Sequence, residues 1–79
     1  MRQYRRTFRD APYYSSGRTW ADYAPAYRYG FRTFCANRGR NFDDVEARLE
    51  RDWEQVRAGS RLTWIEARQA VMAAWRQAR

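Results

Sequence analysis

The chain has 79 residues, with 16 basic and nine acidic side chains, no histidine and one cysteine. That is enough for a single domain, and it excludes both an intrachain disulfide and a four-ligand zinc site as the staple that so small a core usually needs. Dense packing of large side chains is the remaining route, and the four Trp, six Tyr and four Phe provide for it.

No run of apolar residues is long enough for a membrane span. The early arginines have no apolar stretch behind them, so the N-terminus does not read as a secretory signal. A lone cysteine suits a reducing compartment, and the expected location is cytoplasmic. The net charge is +7, and its placement is uneven. Residues 1–40 hold nine arginines against Asp10 and Asp22, whereas residues 41–79 hold seven arginines against seven acids. The first half also carries ten of the aromatic residues. Every basic residue is Arg and none is Lys, a bias that a GC-rich genome would also produce.

Residues 1–10 read as a short helix in which Tyr4 and Phe8 would seal a bundle, or as part of a basic arm over residues 1–18 that folds on a partner. Pro12 to Gly17 reads as a loop by composition. Thr19-Trp20-Ala21-Asp22 has the form of a capping box, but Pro25 is unfavourable inside a helix. The expectation is therefore a turn over 19–23 followed by a helix from about Pro25 to about Asn37, with Tyr27, Gly30, Phe31 and Phe34 facing the core. Gly30 in mid-helix costs about 1 kcal/mol relative to Ala, which points to a close backbone approach to a neighbouring aromatic.

Asn41 is placed to cap the next helix, with Asp43, Asp44 and Glu46 favoured by its dipole. Phe42, Val45, Leu49, Trp53 and Val56 recur at steps of three and four, one helical stripe, and Gly59 is the expected left-handed stop. Thr63-Trp64-Ile65-Glu66 is a second capping box. It opens a helix whose apolar face carries Trp64, Ala67, Val71, Trp75 and Ala78, widened by Ile65 and Met72. The short connection predicts that these two helices pack as an antiparallel hairpin. The fold class is thus an all-α compact bundle of three to four short helices, one domain over 1–79.

Catalytic chemistry finds little support. Without histidine there is no ordinary base near neutral pH. Ser15, Ser16 and Ser60 have no activating partner, and Cys35, near the end of an apolar helix face, reads as core. The carboxylate pairs Asp43/Asp44 and Glu46/Glu50 sit at a helix start and on a solvated face. The expectation is a non-enzymatic module with no metal and no cofactor. Asp52 borders the stripe of the 42–56 helix and needs a partner; Arg28 is the predicted one, as a structural pair with Asp52 or with Glu46.

Arginines interleaved with aromatics suit nucleic acid, with phosphate contacts beside stacked rings. A helix-turn-helix over 42–57 and 64–78 fits less well, because its only polar readers are Arg68, Gln69, Arg76 and Gln77. The stripe at 42–56 is too short for a coiled coil by itself. Candidate contacts for a protein or nucleic-acid partner are Arg2, Arg5, Arg6, Arg9, Tyr13, Tyr14, Arg18, Trp20 and Arg32. The loop aromatics among them serve equally as interface anchors or as a cover folded back over the bundle. A protein partner or homo-oligomer is the leading expectation, and nucleic acid the alternative.

The block Asp22-Tyr23-Ala24-Pro25-Ala26-Tyr27-Arg28-Tyr29-Gly30, with Arg51-Asp52-Trp53-Glu54 and the span from Trp64 to Trp75, resembles an uncharacterised bacterial domain. That domain occurs alone and beside stress-associated domains of the PRC-barrel-like type, and the likeness runs over about residues 4–76. It implies a bacterial, stress-associated protein and marks Tyr23, Pro25, Tyr27, Arg28, Tyr29, Gly30, Asp52, Trp53, Trp64 and Trp75 as its motif. Two departures are the high arginine content and Gly39-Arg40-Asn41-Phe42, where the pattern carries a Trp after Gly-Arg.

Overall fold

The computed structural model describes residues 10–11, 14, 17–57 and 59–78. Three helices follow one another, α1 (Trp20–Ala36), α2 (Phe42–Val56) and α3 (Trp64–Ala78), and no strand occurs among the described residues. Among the described residues the all-α bundle is therefore built on three helices. The expected short helix over 1–10 lies almost wholly outside the described residues.

α1 begins five residues earlier than the proline rule predicts. Thr19 and Asp22 form a working capping box, in which Asp22 Oδ2 accepts the Thr19 backbone N–H at 3.0 Å. Pro25 then lies inside the helix. Its missing N–H leaves the Ala21 carbonyl without a helical donor, and Ala21 is exposed, so water can serve it. Burial of Tyr23, Ala24, Ala26 and Tyr27 on either side of the proline holds the helix together across it.

α2 starts at Phe42 with Asn41 as its N-cap residue, though the Asn41 side chain makes no capping hydrogen bond. Asn41 is exposed, and solvent competes for that role. The helix ends at Val56, with Arg57 as a right-handed cap. The left-handed glycines are Gly17 and Gly39, not Gly59; Gly39 closes the turn between α1 and α2. α3 opens on its capping box, with the Thr63 backbone N–H donating to Glu66 Oε1 at 3.2 Å and the Glu66 N–H reaching Thr63 Oγ1 at 3.5 Å.

One cluster forms the core, drawing Tyr23, Tyr27 and Tyr29 from α1, Phe42, Val45, Leu49 and Trp53 from α2, and Trp64, Ala67, Val71 and Trp75 from α3. Trp53, Trp75, Tyr23 and Tyr27 are among its fully buried side chains. Each such ring contributes about 4–6 kcal/mol of transfer free energy as an upper bound, which is how so small a chain compensates for a thin core.

α1 packs most extensively on α3, not α2 on α3. The hairpin partners do touch, but their contact is made by bulky side chains, with the Trp53 and Trp64 rings 6.4 Å apart. α1 and α3 both bury small residues, Ala26 and Gly30 on the one and Ala67, Ala70 and Ala74 on the other, and at Gly30 the backbones come together. A Cβ on Gly30 would fall 2.7 Å from Ala74 Cβ and 2.8 Å from the Val71 carbonyl oxygen. The close approach expected at Gly30 is present, but it is to the α3 backbone and an alanine rather than to an aromatic.

Candidate functional site

The motif residues divide into core and surface. Tyr23, Tyr27, Tyr29, Gly30, Trp53, Trp64 and Trp75 are buried, Pro25 and Asp52 are half-buried, and Arg28 is exposed. The polar ends of the large rings are engaged. Tyr29 Oη donates to the Leu49 carbonyl at 3.0 Å, Trp53 Nε1 to the Leu62 carbonyl at 3.1 Å, and Trp75 Nε1 to Thr33 Oγ1 at 3.0 Å. Each bond pins a ring to a different helix or loop, so the motif specifies packing.

Burial, with the Asp52 carboxylate nearby, pushes the Tyr29 phenol up to about 12. The folded chain then holds this proton more tightly than the unfolded chain, so the contribution is complete below about pH 10 and is lost as pH climbs toward the folded value. Ultraviolet titration is expected to show one phenol ionising near pH 12 in the native protein and missing from Tyr29→Phe. That variant should also lose about 1 kcal/mol of stability.

The predicted Arg28 pair does not form. Arg28 makes no ion pair among the described residues; Asp52 pairs with Arg51 at 3.3 Å and Glu46 with Arg68. One residue turns an α-helix by about 100°, so with Tyr29 aimed at α2, Arg28 is carried round to solvent. Glu46 is instead claimed from α3, by Arg68 and by Trp64 Nε1 at 3.4 Å, and the Arg68 hydrogen bond holds its carboxyl below the ordinary range. Arg28→Ala is accordingly expected to leave thermal stability within about 0.5 kcal/mol of the parent, measured by a circular dichroism melt.

Among the described residues the buried charge is Asp22. Its two oxygens accept the backbone N–H groups of Thr19 and Arg61, each at 3.0 Å, and the Arg61 guanidinium, whose Nη2 is 2.6 Å away. The Arg61 hydrogen bond, reinforced by those amides, holds this carboxyl far below its ordinary value. Ser60, read from sequence as an idle loop hydroxyl, is buried and donates to the Asp22 carbonyl at 2.6 Å. Arg61 Nη2 also reaches the Gly17 carbonyl at 3.0 Å. Beside this, Arg18 grips Glu66 through Nε and Nη2, both at 3.1 Å. The node ties the start of α1, the segment before it and the loop after α2 into one joint. The Thr19–Asp22 capping signal was the only trace of it in the sequence, since Arg61 is one arginine among 16.

Among the described residues five arginines pair with acids: Arg18, Arg51, Arg57, Arg61 and Arg68. Arg28, Arg32, Arg38, Arg40, Arg48 and Arg76 are exposed and have no acidic partner among the described residues. Arg28 and Arg32 lie one turn apart on the solvent face of α1, and Arg38 and Arg40 in the turn that ends it. Phe31, expected to face the core, is 50% exposed between them. Cys35, also expected in the core, is exposed on the same face. Tyr23, Tyr27 and Gly30 are buried on α1, and Arg28, Phe31, Arg32 and Cys35 are exposed. On α3, Ile65 likewise does not widen the apolar face; it is 81% exposed.

No family model, curated protein or solved structure matches this chain.

The remaining sequence candidates fall in three places. Arg2, Arg5, Arg6, Arg9 and Tyr13 lie outside the described residues. Tyr14 and Trp20 are half-buried and packed on the core; Trp20 stacks on Tyr27 with centroids 5.8 Å apart, and Tyr14 Oη donates to the Arg18 carbonyl at 2.9 Å. Of the two roles open to these loop aromatics, they fill that of a cover over the bundle. Arg18 is committed to Glu66, and Arg32 is on the open face. Among the described residues no group of His, Cys, Asp and Glu could hold a metal ion, and no helix is long and apolar enough to cross a membrane.

Proposed function

We propose that this chain is a non-enzymatic interaction module that docks a protein partner on the solvent face of α1. One observation carries the reading: Arg28 and Arg32, unneutralised, flank a half-exposed Phe31 on a helix whose other face is locked into the core. An aromatic anchor ringed by arginines is the composition of interface hot spots. The carboxylates support the non-enzymatic part. Asp22, Glu46 and Glu66 are all held ionised by arginines, the opposite of the tuning toward neutrality that acid–base catalysis asks for. The resemblance of the Asp22–Gly30 block to a small stress-associated bacterial domain is in keeping with this reading, as is a cytoplasmic location.

Nucleic acid is the second reading, favoured by Arg28, Arg32, Arg38 and Arg40, exposed arginines of α1 and the turn after it that have no acidic partner among the described residues. The aromatics that would stack on bases are mostly spent in the core, so this mode would rest on phosphate contacts and would weaken steeply with salt. Two measurements separate the readings. A photo-crosslinking residue in place of Phe31 is expected to trap a protein in cells, and the same residue in place of exposed Gln69 is not. A labelled oligonucleotide followed by anisotropy at two salt concentrations is expected to show no micromolar binding. Micromolar binding that falls steeply with salt, with no crosslinked protein at position 31, would replace the first reading by the second.

A further inference from the structure

We infer that the partner of the α1 face is the acidic stripe of α2 on a second copy of this chain. This rests on the reading of that face as a protein-docking surface and names its occupant. Charge complementarity carries it. Along α2, Asp43, Ala47, Glu50 and Glu54 are all exposed, and their steps of four, three and four put them on one line of the helix. Asp43 and Glu50 have no ion-pair partner among the described residues, and Glu54 meets only its own Arg57, at 3.5 Å, with both side chains solvated.

The two stripes match in sign and in spacing. Arg28 and Arg32 are separated by four residues, about 6 Å along the axis, as are Glu50 and Glu54. α1 offers no acid on its outer face, and its single carboxylate, Asp22, is buried in the joint with Arg61. The net charge of +7 opposes association at long range, but at physiological ionic strength that repulsion is screened beyond about 8 Å, and the local pattern decides. One helix face is a small contact, so the association belongs to the weak, transient class. Being heterologous, it gives a mass that rises with concentration unless the symmetry closes.

The test is sedimentation equilibrium of the intact chain over a range of concentrations, at physiological and at high salt. The parent is expected to self-associate at physiological salt and to dissociate as salt is raised above it. Reversing α1 with Arg28→Glu and Arg32→Glu, or α2 with Glu50→Arg and Glu54→Arg, should weaken association at least about tenfold, as expected for losing two ion pairs and gaining two repulsions. All four positions are exposed and away from the first turn of α2, so the variants are expected to fold, which a circular dichroism melt checks. Each variant alone pairs like with like and stays monomeric; an equimolar mixture should recover association between the two variants. A parent that is monomeric throughout overturns the second copy as occupant, whereas a different protein crosslinked at position 31 would leave the docking reading standing. Association that survives charge reversal, or that strengthens with salt, overturns the inference by placing the contact on an apolar surface such as that around Ile65. Association only when oligonucleotide is added also overturns it.

Discussion

Gly30→Ala is expected to destabilise the protein even though alanine is the better helix former. In an exposed helix this exchange would gain about 1 kcal/mol. Here the new methyl would stand 2.7 Å from Ala74 Cβ and 2.8 Å from the Val71 carbonyl oxygen, inside van der Waals contact. Neither neighbour is the loose end of a long side chain, so α1 and α3 must move apart or tilt. Overpacking of this kind costs about 1–3 kcal/mol, and the closeness of the Val71 backbone oxygen places the cost at the upper end. The net expectation is a loss of about 1–2 kcal/mol, or about 5–15 °C in Tm for a domain of this size. Gly30→Leu should not fold. Ala74→Gly relieves the methyl contact but leaves the Val71 carbonyl in place, so adding it to Gly30→Ala should recover part of the loss. A double-mutant cycle read by thermal melts then gives a coupling between the two positions, because they share one contact. A gain in Tm for Gly30→Ala would mean that the two helices separate without cost, and the small-residue seam would lose its role.

Asp22→Ala is expected to cost about 2–3 kcal/mol, the range for removing hydrogen bonds to a charged group. The cost stays below that of a fully buried pair because the Arg61 side chain is 56% exposed and can return to water. The pH dependence gives the sharper result. The hydrogen bonds from Arg61 hold the folded-state pKa of Asp22 far below its unfolded value. The folded chain therefore binds this proton less tightly than the unfolded chain, and the stabilisation is complete above the unfolded value of about 4. It is lost as the pH falls from there through the folded value. Glu46 and Glu66 are lowered in the same direction by Arg68 and Arg18 and add to the same slope. The parent should hold its Tm from pH 7 to about pH 5 and lose stability steeply below about pH 4. In Asp22→Asn that acid limb should be shallower, with a lower plateau at neutral pH. Equal acid slopes in parent and variant would remove Asp22 from this role.

Most of the helical architecture was legible in the residues. The stripe from Phe42 to Val56 and the Thr63–Glu66 box locate α2 and α3, because periodicity and capping are local properties. At α1 two local rules conflicted. The Thr19–Asp22 box argued for a start at Trp20, and Pro25 argued against it. The box prevailed because the carbonyl that the proline orphans belongs to exposed Ala21, and because Tyr23 and Tyr27 gain burial on both sides of the proline.

What the chain determined by itself, then, is its class, an all-α bundle packed by large aromatic rings, together with an excess of positive charge in its first half. These follow from composition and short-range spacing. Tertiary structure decided which helices approach most closely, which carboxylate is buried, and which arginines remain unpaired. Gly30 meets Ala74 and Asp22 meets Arg61 across about forty residues of chain, and no local pattern encodes such a meeting. Once Arg18, Arg61 and Arg68 are drawn onto acids from other elements, the charge left on α1 becomes a surface, and it is packing over that distance that selects its members.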